Sequence, residues 1–309
     1  MGEEVLDRLM PGDLQRAAEA LGERPSSCFL CSNGDQVELF QSSGKVFWLC
    51  SGCSLVYVHD IYPEFVQPPA GEAALEELSQ PPKRRRRKFD QWLAQMARFG
   101  SASSDSAPRA GASVGKLLDV GCGQGEFLAY AAGAGWQVQG VDVDPLRVAL
   151  ARDKRGLQVF EGELHEASYP SDSFDVVFMS EVIEHIVDPV PLMQEIHRIL
   201  RPGGIAFLRT GNGRSWAARL RGAAWDYYRF CFHGHIRYYS PKSAQALARA
   251  SGFESVDVET HGFAFMESQE LKQRWFKIPV KLAQGLLSPL VGPLGGGHRL
   301  RMIFRRART

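Results

Sequence analysis

The feature that most constrains the fold is the stretch at residues 116–127, KLLDVGCGQGEF. Its short apolar run predicts a buried strand, and a helix-forming run follows the turn. The turn contains three glycines, Gly121, Gly123 and Gly125. Glycine permits a tight turn and leaves no Cβ between the backbone and a ligand. This order of strand, glycine turn and helix predicts a site where backbone binds a nucleotide-like ligand.

A second apolar run, at 138–141, ends at Asp142, which is placed to accept hydrogen bonds from a ribose diol. From residue 113 to residue 309, strands and helices alternate, which predicts an α/β domain with a mainly parallel sheet and helices on both faces. The predicted strands are 116–121, 137–142, 157–161, 174–179, 204–210, 253–260 and 299–306. The predicted helices are 124–134, 145–153, 188–201 and 241–251.

Four of the six cysteines form two CxxC pairs inside a small N-terminal unit predicted over residues 26–66. The pairs are Cys28 with Cys31 and Cys50 with Cys53. This spacing, with strand-like runs at 37–40 and 45–49, is typical of a zinc ribbon. Four thiolates complete a tetrahedral coordination shell, so a structural Zn²⁺ is expected rather than a catalytic one. A redox-active CxxC would need a βαβ context, which is missing here.

Motifs between residues 116 and 262 occur in a characteristic order: LLDVGCGQG, GVDVDP, SDSFDVVFMSEVIEHIVDP and ILRPGGIAFL. Together they resemble class I S-adenosylmethionine-dependent methyltransferases, and EVIEH resembles the small-molecule branch that includes ubiquinone-pathway O-methyltransferases. The N-terminal sequence CFLC…CSGCSLVY resembles the ribbon of bacterial relatives in surface-polysaccharide, deoxysugar and secondary-metabolite pathways. The resemblance implies a Rossmann-like sheet of seven strands and S-adenosylmethionine as the methyl donor.

The resemblance also assigns cofactor-binding roles. Asp119 and the three glycines would surround the methionine part, Asp142 would accept both ribose hydroxyls, and Val143 would lie against the adenine. The stretch at 162–164 would read the adenine amino edge, with Glu163 where relatives often carry Asp. The implied cofactor-binding residues are Asp119, Gly121, Gly123, Gly125, Asp142, Val143, Glu163 and Leu164.

Methyl transfer from a sulfonium needs alignment of donor and acceptor and a base for the acceptor proton. Glu181, Glu184 and His185 follow the fourth strand, where open α/β sheets bind ligands. In ubiquinone-type relatives this region can hold a divalent metal near the acceptor. The sequence HGHIRYYSP adds His233 and His235, which are preferred as bases for a sugar hydroxyl or ring carbon. Alternatively, Glu184 and His185 only cap and orient the next helix.

An insert predicted over 213–240 is rich in aromatic residues and is interpreted as a lid on the acceptor pocket. Its predicted walls include Trp225, Tyr227, Tyr228 and Phe230. A packed core insert is the alternative. The favoured acceptor is a small or lipid-linked molecule, in the first place a sugar or related polar metabolite. The rival hypotheses are a methyltransferase of RNA or protein and a catalytically silent cofactor-binding module.

The remaining segments are a helical leader at 1–25 and a linker at 67–112 that carries a helix with a basic start, KRRRRK. The basic run could bind nucleic acid or anionic lipid, but a solvated helix with an apolar face packed on the next domain is favoured. The net charge of +1 argues against a nucleic-acid partner.

The segment at 269–297 is apolar and basic together. It could contact a membrane surface or a lipid-linked substrate, or form helices packed on the sheet. No signal peptide or membrane span is recognised, so the cytosol is the expected compartment, with peripheral membrane contact as the variant. The sequence does not indicate the oligomeric state.

Overall fold

A computed structural model describes residues 27–42, 45–58, 82–100, 114–229, 234–263 and 285–308. The predicted leader at 1–25, His233, Phe230 and most of the segment at 269–297 lie outside the described residues. In the part of the chain that is described, no helix is long and apolar enough to cross a membrane.

The strands of the described chain are β1 (Gln36–Ser42), β2 (Lys45–Cys50), β3 (Val56–Val58), β4 (Lys116–Val120), β5 (Gln137–Asp142), β6 (Val159–Glu161), β7 (Phe174–Ser180), β8 (Leu200–Gly211), β9 (Arg237–Tyr238), β10 (Glu254–His261) and β11 (Arg299–Arg305). The α-helices are α1 (Lys83–Gly100), α2 (Glu126–Gly133), α3 (Pro145–Arg155), α4 (Pro189–Ile199), α5 (Trp216–Arg221), α6 (Asp226–Arg229) and α7 (Pro241–Ala250). Short 3₁₀ turns occupy Ile183–His185 and Gly222–Ala224, and residues 285–291 are helical.

The large sheet has seven strands in the order β10-β11-β8-β7-β4-β5-β6. The strands from β8 to β6 are parallel, and β11 runs antiparallel to β8 and β10. The predicted Rossmann-like fold is therefore confirmed. The chain leaves β4 for β5 on one side and returns to β7 on the other, so β4 and β7 flank a topological switch point. Ligands bind in the crevice beyond the carboxyl ends of strands at such a point.

One predicted boundary in this sheet is wrong. The predicted helix 188–201 and strand 204–210 place this boundary at Pro202-Gly203-Gly204, but α4 ends at Ile199 and β8 already begins at Leu200. Leu200 pairs with Phe174, and an irregularity in the ladder lies between Phe174 and Val176. The irregularity accommodates the Pro-Gly-Gly segment, and the pairing of β7 with β8 resumes after it at Val176 and Ile205.

Helix α1 covers one face of the large sheet. Its residues Phe89, Leu93 and Met96 are buried in the core cluster that also contains Phe178 and Phe207 from the sheet. The interpretation of this helix as a basic start followed by a packed apolar face is therefore confirmed. Helices α4 and α7 pack on the other face, in a separate core cluster.

The small sheet is antiparallel, in the order β1-β2-β3-β9. The ribbon contributes its first three strands, whereas β9 comes from the predicted insert and pairs Val56 with Tyr238 and Tyr57 with Arg237. The strand β9 supplies the backbone partners that β3 would lack as an edge strand. The N-terminal unit therefore shares a sheet with the insert.

Two rings of the insert, Trp225 and Tyr228, are buried in the core and do not line an open pocket. Trp225 is 2% exposed and Tyr228 is 1% exposed, and both lie in a core cluster with Phe47 and Val56 of the ribbon. Tyr228 contacts Phe47 with ring centroids 5.6 Å apart. The lid interpretation is therefore wrong for these two rings, because the ribbon covers them and they fill the core between the two parts of the chain.

Candidate active site

The loop after β4 holds its three glycines in the left-handed backbone region, with φ of 74° at Gly121, 54° at Gly123 and 75° at Gly125. Residues with a Cβ rarely adopt these angles. A Cβ at Gly121 would also overlap the Val182 side chain, and one at Gly125 would overlap Leu157. A Cβ at Gly123 would have its nearest neighbour 3.6 Å away, so space remains beside this glycine. The loop is a tight turn with one open position that carries no side chain.

Asp142 ties this loop to the end of β5. One of its carboxylate oxygens accepts the Gly123 N–H at 2.6 Å, and the other accepts the Asp144 N–H at 2.9 Å. Burial raises the pKa of Asp142, although these two hydrogen bonds and the charge of Arg147 oppose that shift. Each carboxylate oxygen has two acceptor sites, so one on each oxygen remains for a ligand hydroxyl.

Asp119 lies in β4 just before the loop and is 4% exposed. Burial raises its pKa well above the ordinary value, and the negative charge of Asp142 adds to that shift. Two interacting carboxyl groups beside the glycine turn favour a cationic group on the ligand. The structure thus brings together Asp119, Asp142 and the three glycines at the switch point.

The predicted adenine contacts lie at the ends of β5 and β6. Val143 is 53% exposed, while Leu164 is buried. The Glu163 carboxylate lies 3.2 Å from His165 Nδ1, and the Glu163 N–H donates to the Glu166 carboxylate at 2.6 Å. Glu166 shapes this loop and was missed in the sequence. A carboxylate three residues after a loop N–H is the local signal that could have found it.

The EVIEH segment forms the 3₁₀ turn and brings Glu184 and His185 next to His235. Glu184 is fully buried, and one of its oxygens accepts the Tyr227 hydroxyl at 3.3 Å. Its other oxygen has no hydrogen-bond partner among the described residues. His185 Nδ1 lies 3.1 Å from the Gly234 carbonyl, and the rings of His185 and His235 are 4.7 Å apart. One ligand atom from each of the acid and the two histidines lies within 4.8 Å of the others.

Burial sets the protonation of this cluster. It raises the pKa of Glu184 to about 8, and the negative charge of Glu181 contributes to the increase. Burial lowers the pKa of His185, against the opposing effects of the Gly234 carbonyl and Glu181. At neutral pH, His185 is therefore an uncharged imidazole that can accept a proton, and Glu184 is largely protonated.

Glu181 lies at the end of β7 with a left-handed φ of 58°, which is strained for a residue with a Cβ. Its carboxylate pairs with Arg299 at 2.6 Å, and its N–H donates to the Arg209 carbonyl at 2.8 Å. The ion pair engages the carboxylate that the sequence suggested as a base. Glu181 therefore pairs with Arg299 and is not part of the cluster of Glu184, His185 and His235.

Arg237 links the ribbon to this cluster. It is 6% exposed, and its guanidinium donates to the carbonyls of Val58 at 3.0 Å and Val187 at 2.8 Å. The guanidinium carbon also lies 5.1 Å from the centre of the Phe29 ring. The side chain of Arg237 is therefore buried and connects β3 to the segment after the EVIEH turn.

The ribbon cysteines converge on one point. Cys28 Sγ lies 3.6 Å from Cys53 Sγ, Cys31 Sγ lies 3.5 Å from Cys50 Sγ, and all four sulfur atoms lie within 4.8 Å of one another. A tetrahedral site with Zn–S bonds of about 2.3 Å has sulfur–sulfur edges of about 3.8 Å. The four thiols therefore fit a structural zinc ion.

The strand order and the glycine loop define a Rossmann-like α/β domain with a ligand site at the switch point. Residues 72–258 match the protein family described as "Methyltransferase domain". This match covers more than half of the chain, and the chain belongs to that family.

Among curated relatives, the chain is 30% identical over 151 residues to the ubiquinone biosynthesis O-methyltransferase of Cereibacter sphaeroides, covering 46% of this chain and 61% of that protein. It is 39% identical over 127 residues to the protein of the same description from Escherichia coli, covering 38% of this chain and 52% of the relative. These matches thus span less than two thirds of the relatives' own length. A crystal structure of a SAM-dependent methyltransferase from Archaeoglobus fulgidus is 18% identical with a TM-score of 0.49, covering 72% of this chain and 93% of that chain.

Proposed function

We propose that this protein transfers a methyl group from S-adenosylmethionine to a small-molecule acceptor. The observation that carries the proposal is the loop of left-handed glycines tied to Asp142, at the switch point of a chain in the methyltransferase domain family. In this proposal Asp142 accepts the ribose hydroxyls, Val143 contacts the adenine, and Glu163 and Leu164 border its edge. The acidic surroundings of Asp119 and Asp142 suit the positive charge of the cofactor.

For the chemical step we propose a neutral histidine as general base. The acceptor heteroatom attacks the methyl carbon in line, the sulfur–methyl bond breaks, and its electron pair remains on neutral S-adenosylhomocysteine. The acceptor proton passes to His185 or His235. The low pKa of His185 supports this role because the ring is uncharged at neutral pH.

Alternatively, Glu184, His185 and His235 could bind a divalent cation. Two imidazoles and a carboxylate are a familiar donor set for transition metals, and three protein ligands leave positions open for an acceptor. The oxygen of Glu184 that lacks a hydrogen-bond partner among the described residues supports this alternative. A bound ion would polarise the acceptor and lower the pKa of its proton. A histidine bound to the ion cannot accept that proton, so metal analysis separates the two roles.

The burial of Trp225 and Tyr228 changes which groups can recognise the acceptor. A sugar was inferred from aromatic walls, but Trp225 and Tyr228 lie in the core. A sugar, another polar metabolite or a lipid-linked molecule therefore has to be recognised by polar groups at the carboxyl edge of the sheet. For the ribbon we propose a structural Zn²⁺ on its four cysteines.

Isothermal titration calorimetry with S-adenosylhomocysteine and S-adenosylmethionine tests cofactor binding. We expect a dissociation constant in the micromolar range, about −8 kcal/mol. Asp142→Ala should weaken binding at least about tenfold, because it removes the ribose acceptor and the contact with the loop. Asp153→Ala, on the exposed face of α3, is the matched control. The proposal is refuted if the wild type does not bind or if Asp142→Ala binds equally well.

A further inference from the structure

A second charged site lies at the same edge of the large sheet, one strand beyond the EVIEH turn. Arg209 in β8 is 9% exposed, and its guanidinium carbon lies 4.0 Å from the centre of the Trp92 ring of α1. Its Nη1 lies 3.4 Å from the Ser180 hydroxyl at the end of β7. Arg209 thus holds a nearly buried positive charge between α1 and the ends of two parallel strands.

The neighbouring strand β11 adds two more cations. Arg301 pairs with Arg209 across the ladder, and Arg299 lies two residues nearer the edge. Each has carboxylate partners, since Arg301 contacts Asp257 and Glu259, and Arg299 contacts Glu181. Arg209 makes no ion pair with any carboxylate among the described residues.

Helix α1 brings a further cation to the same place. Lys88 is exposed and makes no ion pair within the described residues. Partial burial lowers its pKa, and the positive charges of Arg299, Arg84, Arg209 and Arg85 lower it further. Lys88 lies one turn before Trp92 on α1, so the two side chains project from the same face of the helix, and the Trp92 ring contacts Arg209.

Arg209 stays charged despite this environment. Burial lowers its pKa to about 10, Arg299 and Arg301 lower it too, and Glu181 opposes them. A buried cation without an ionic partner is costly and is retained where an anion completes the site. The ammonium of Lys88, one helix turn before Trp92, is exposed and adds a solvent-accessible positive charge on the same face of α1.

The site adjoins the proposed donor. The glycine loop contacts the end of β7, because a Cβ on Gly121 would overlap Val182. Ser180, two residues before Val182, pairs in register with Arg209 on β8. Neighbouring strands are about 4.8 Å apart, so Arg209 lies roughly two strand spacings, about 10 Å, from β4. An acceptor could contact both places at once.

We infer that the acceptor carries an anionic oxygen group, a phosphate or a carboxylate, which Arg209 and Lys88 bind at the end of β8. The guanidinium fork of Arg209 matches two oxygens of either group, and the stack on Trp92 holds its plane. Lys88 adds a point charge from the open side. This inference rests on the proposed function, since it specifies the acceptor of that reaction.

The test is calorimetric titration of the full chain with inorganic pyrophosphate and with malonate, both with and without saturating S-adenosylhomocysteine. We expect the wild type to bind at least one of them, and Arg209→Met and Lys88→Met to weaken that binding about tenfold or more. Arg249→Met, the same change on the exposed face of α7, should leave binding unchanged. Tighter binding of pyrophosphate would assign a phosphate, and tighter binding of malonate a carboxylate.

The inference is overturned if the wild type binds neither anion, or if both variants bind as well as the wild type. If Arg209→Met does not fold, the anion binding of Lys88→Met tests the inference by itself, because Lys88 is exposed and its replacement should not affect folding. Retained S-adenosylhomocysteine binding without anion binding removes only this inference. Absence of S-adenosylhomocysteine binding removes the proposed function, and the titrations without cofactor still report on the anion site.

Discussion

Loss of the cysteine cluster should disturb the candidate base while leaving the donor loop intact. Cys50 ends β2 and Cys53 precedes β3, so the cluster sets where β3 lies. The Val58 N–H donates to the Ile236 carbonyl at 3.0 Å, and Ile236 follows His235 directly. A structural metal by itself would give Cys28→Ser little direct effect on the chemical step. The shared sheet predicts a larger one.

The magnitude follows from the contacts between β3 and β9. The Val58–Ile236 bond, the bond from Arg237 to the Val58 carbonyl and the ladder itself hold β9 against the ribbon. At about 1 kcal/mol for each net hydrogen bond, three of them favour the docked position by about 3 kcal/mol. That energy corresponds to roughly a hundredfold increase in the population of molecules in which β9 has separated from β3. The glycine loop after β4 contacts Asp142 at the end of β5, and this contact involves no residue of the ribbon.

Amide hydrogen exchange at 235–238 measures this effect without an acceptor. The wild type should hold one zinc per chain, consistent with the four-cysteine cluster. In Cys28→Ser, protection at 235–238 should fall about a hundredfold, while affinity for S-adenosylhomocysteine changes by less than about twofold. Cys122→Ser, at the thiol in the glycine loop, is the control and should leave exchange at β9 unchanged. Full protection at 235–238 in a zinc-free Cys28→Ser protein would refute the reasoning.

Two further predictions concern the loop and the buried acid. Gly121→Ala should lower the free energy of unfolding by about 1–3 kcal/mol more than the control Gly156→Ala, and it should abolish cofactor binding. Both glycines have positive φ, but only Gly121 lacks room for a Cβ. Equal melting temperatures of the two variants would contradict this prediction. Glu184 has its pKa raised from 4.5 to about 8, so the folded state binds the extra proton and loses stability as pH rises through this window. Urea unfolding should show Glu184→Gln close to wild type at pH 5 and more stable at pH 8.5, and the same pH dependence in both proteins would exclude the effect.

Local signals carried most of the fold. The strand predicted at 137–142 coincides with β5, because an apolar run ends at Asp142 and Pro145 starts the next helix. The three glycines were assigned from their spacing, and each has the left-handed φ that requires a glycine. The two CxxC pairs specified a cluster whose sulfur atoms do converge. In the first two cases the determining signals lie within a few residues along the chain, and in the third each CxxC pair is local although the pairs meet across 25 positions.

Contacts between distant segments decided the rest. Trp225 and Tyr228 suggested pocket walls, but ribbon residues from a distant part of the chain, Phe47 and Val56, cover them. Arg209 lies in a run of apolar strand residues and belongs to no motif. Only the packing of α1 and β11 beside it reveals a buried charge with no carboxylate partner among the described residues. The sequence by itself determined the glycine turn, most of the strands and the cysteine cluster, because hydrophobic periodicity and short spacings act locally. Tertiary structure alone decided the acceptor side, because burial and charge pairing there depend on which distant strands and helices become neighbours.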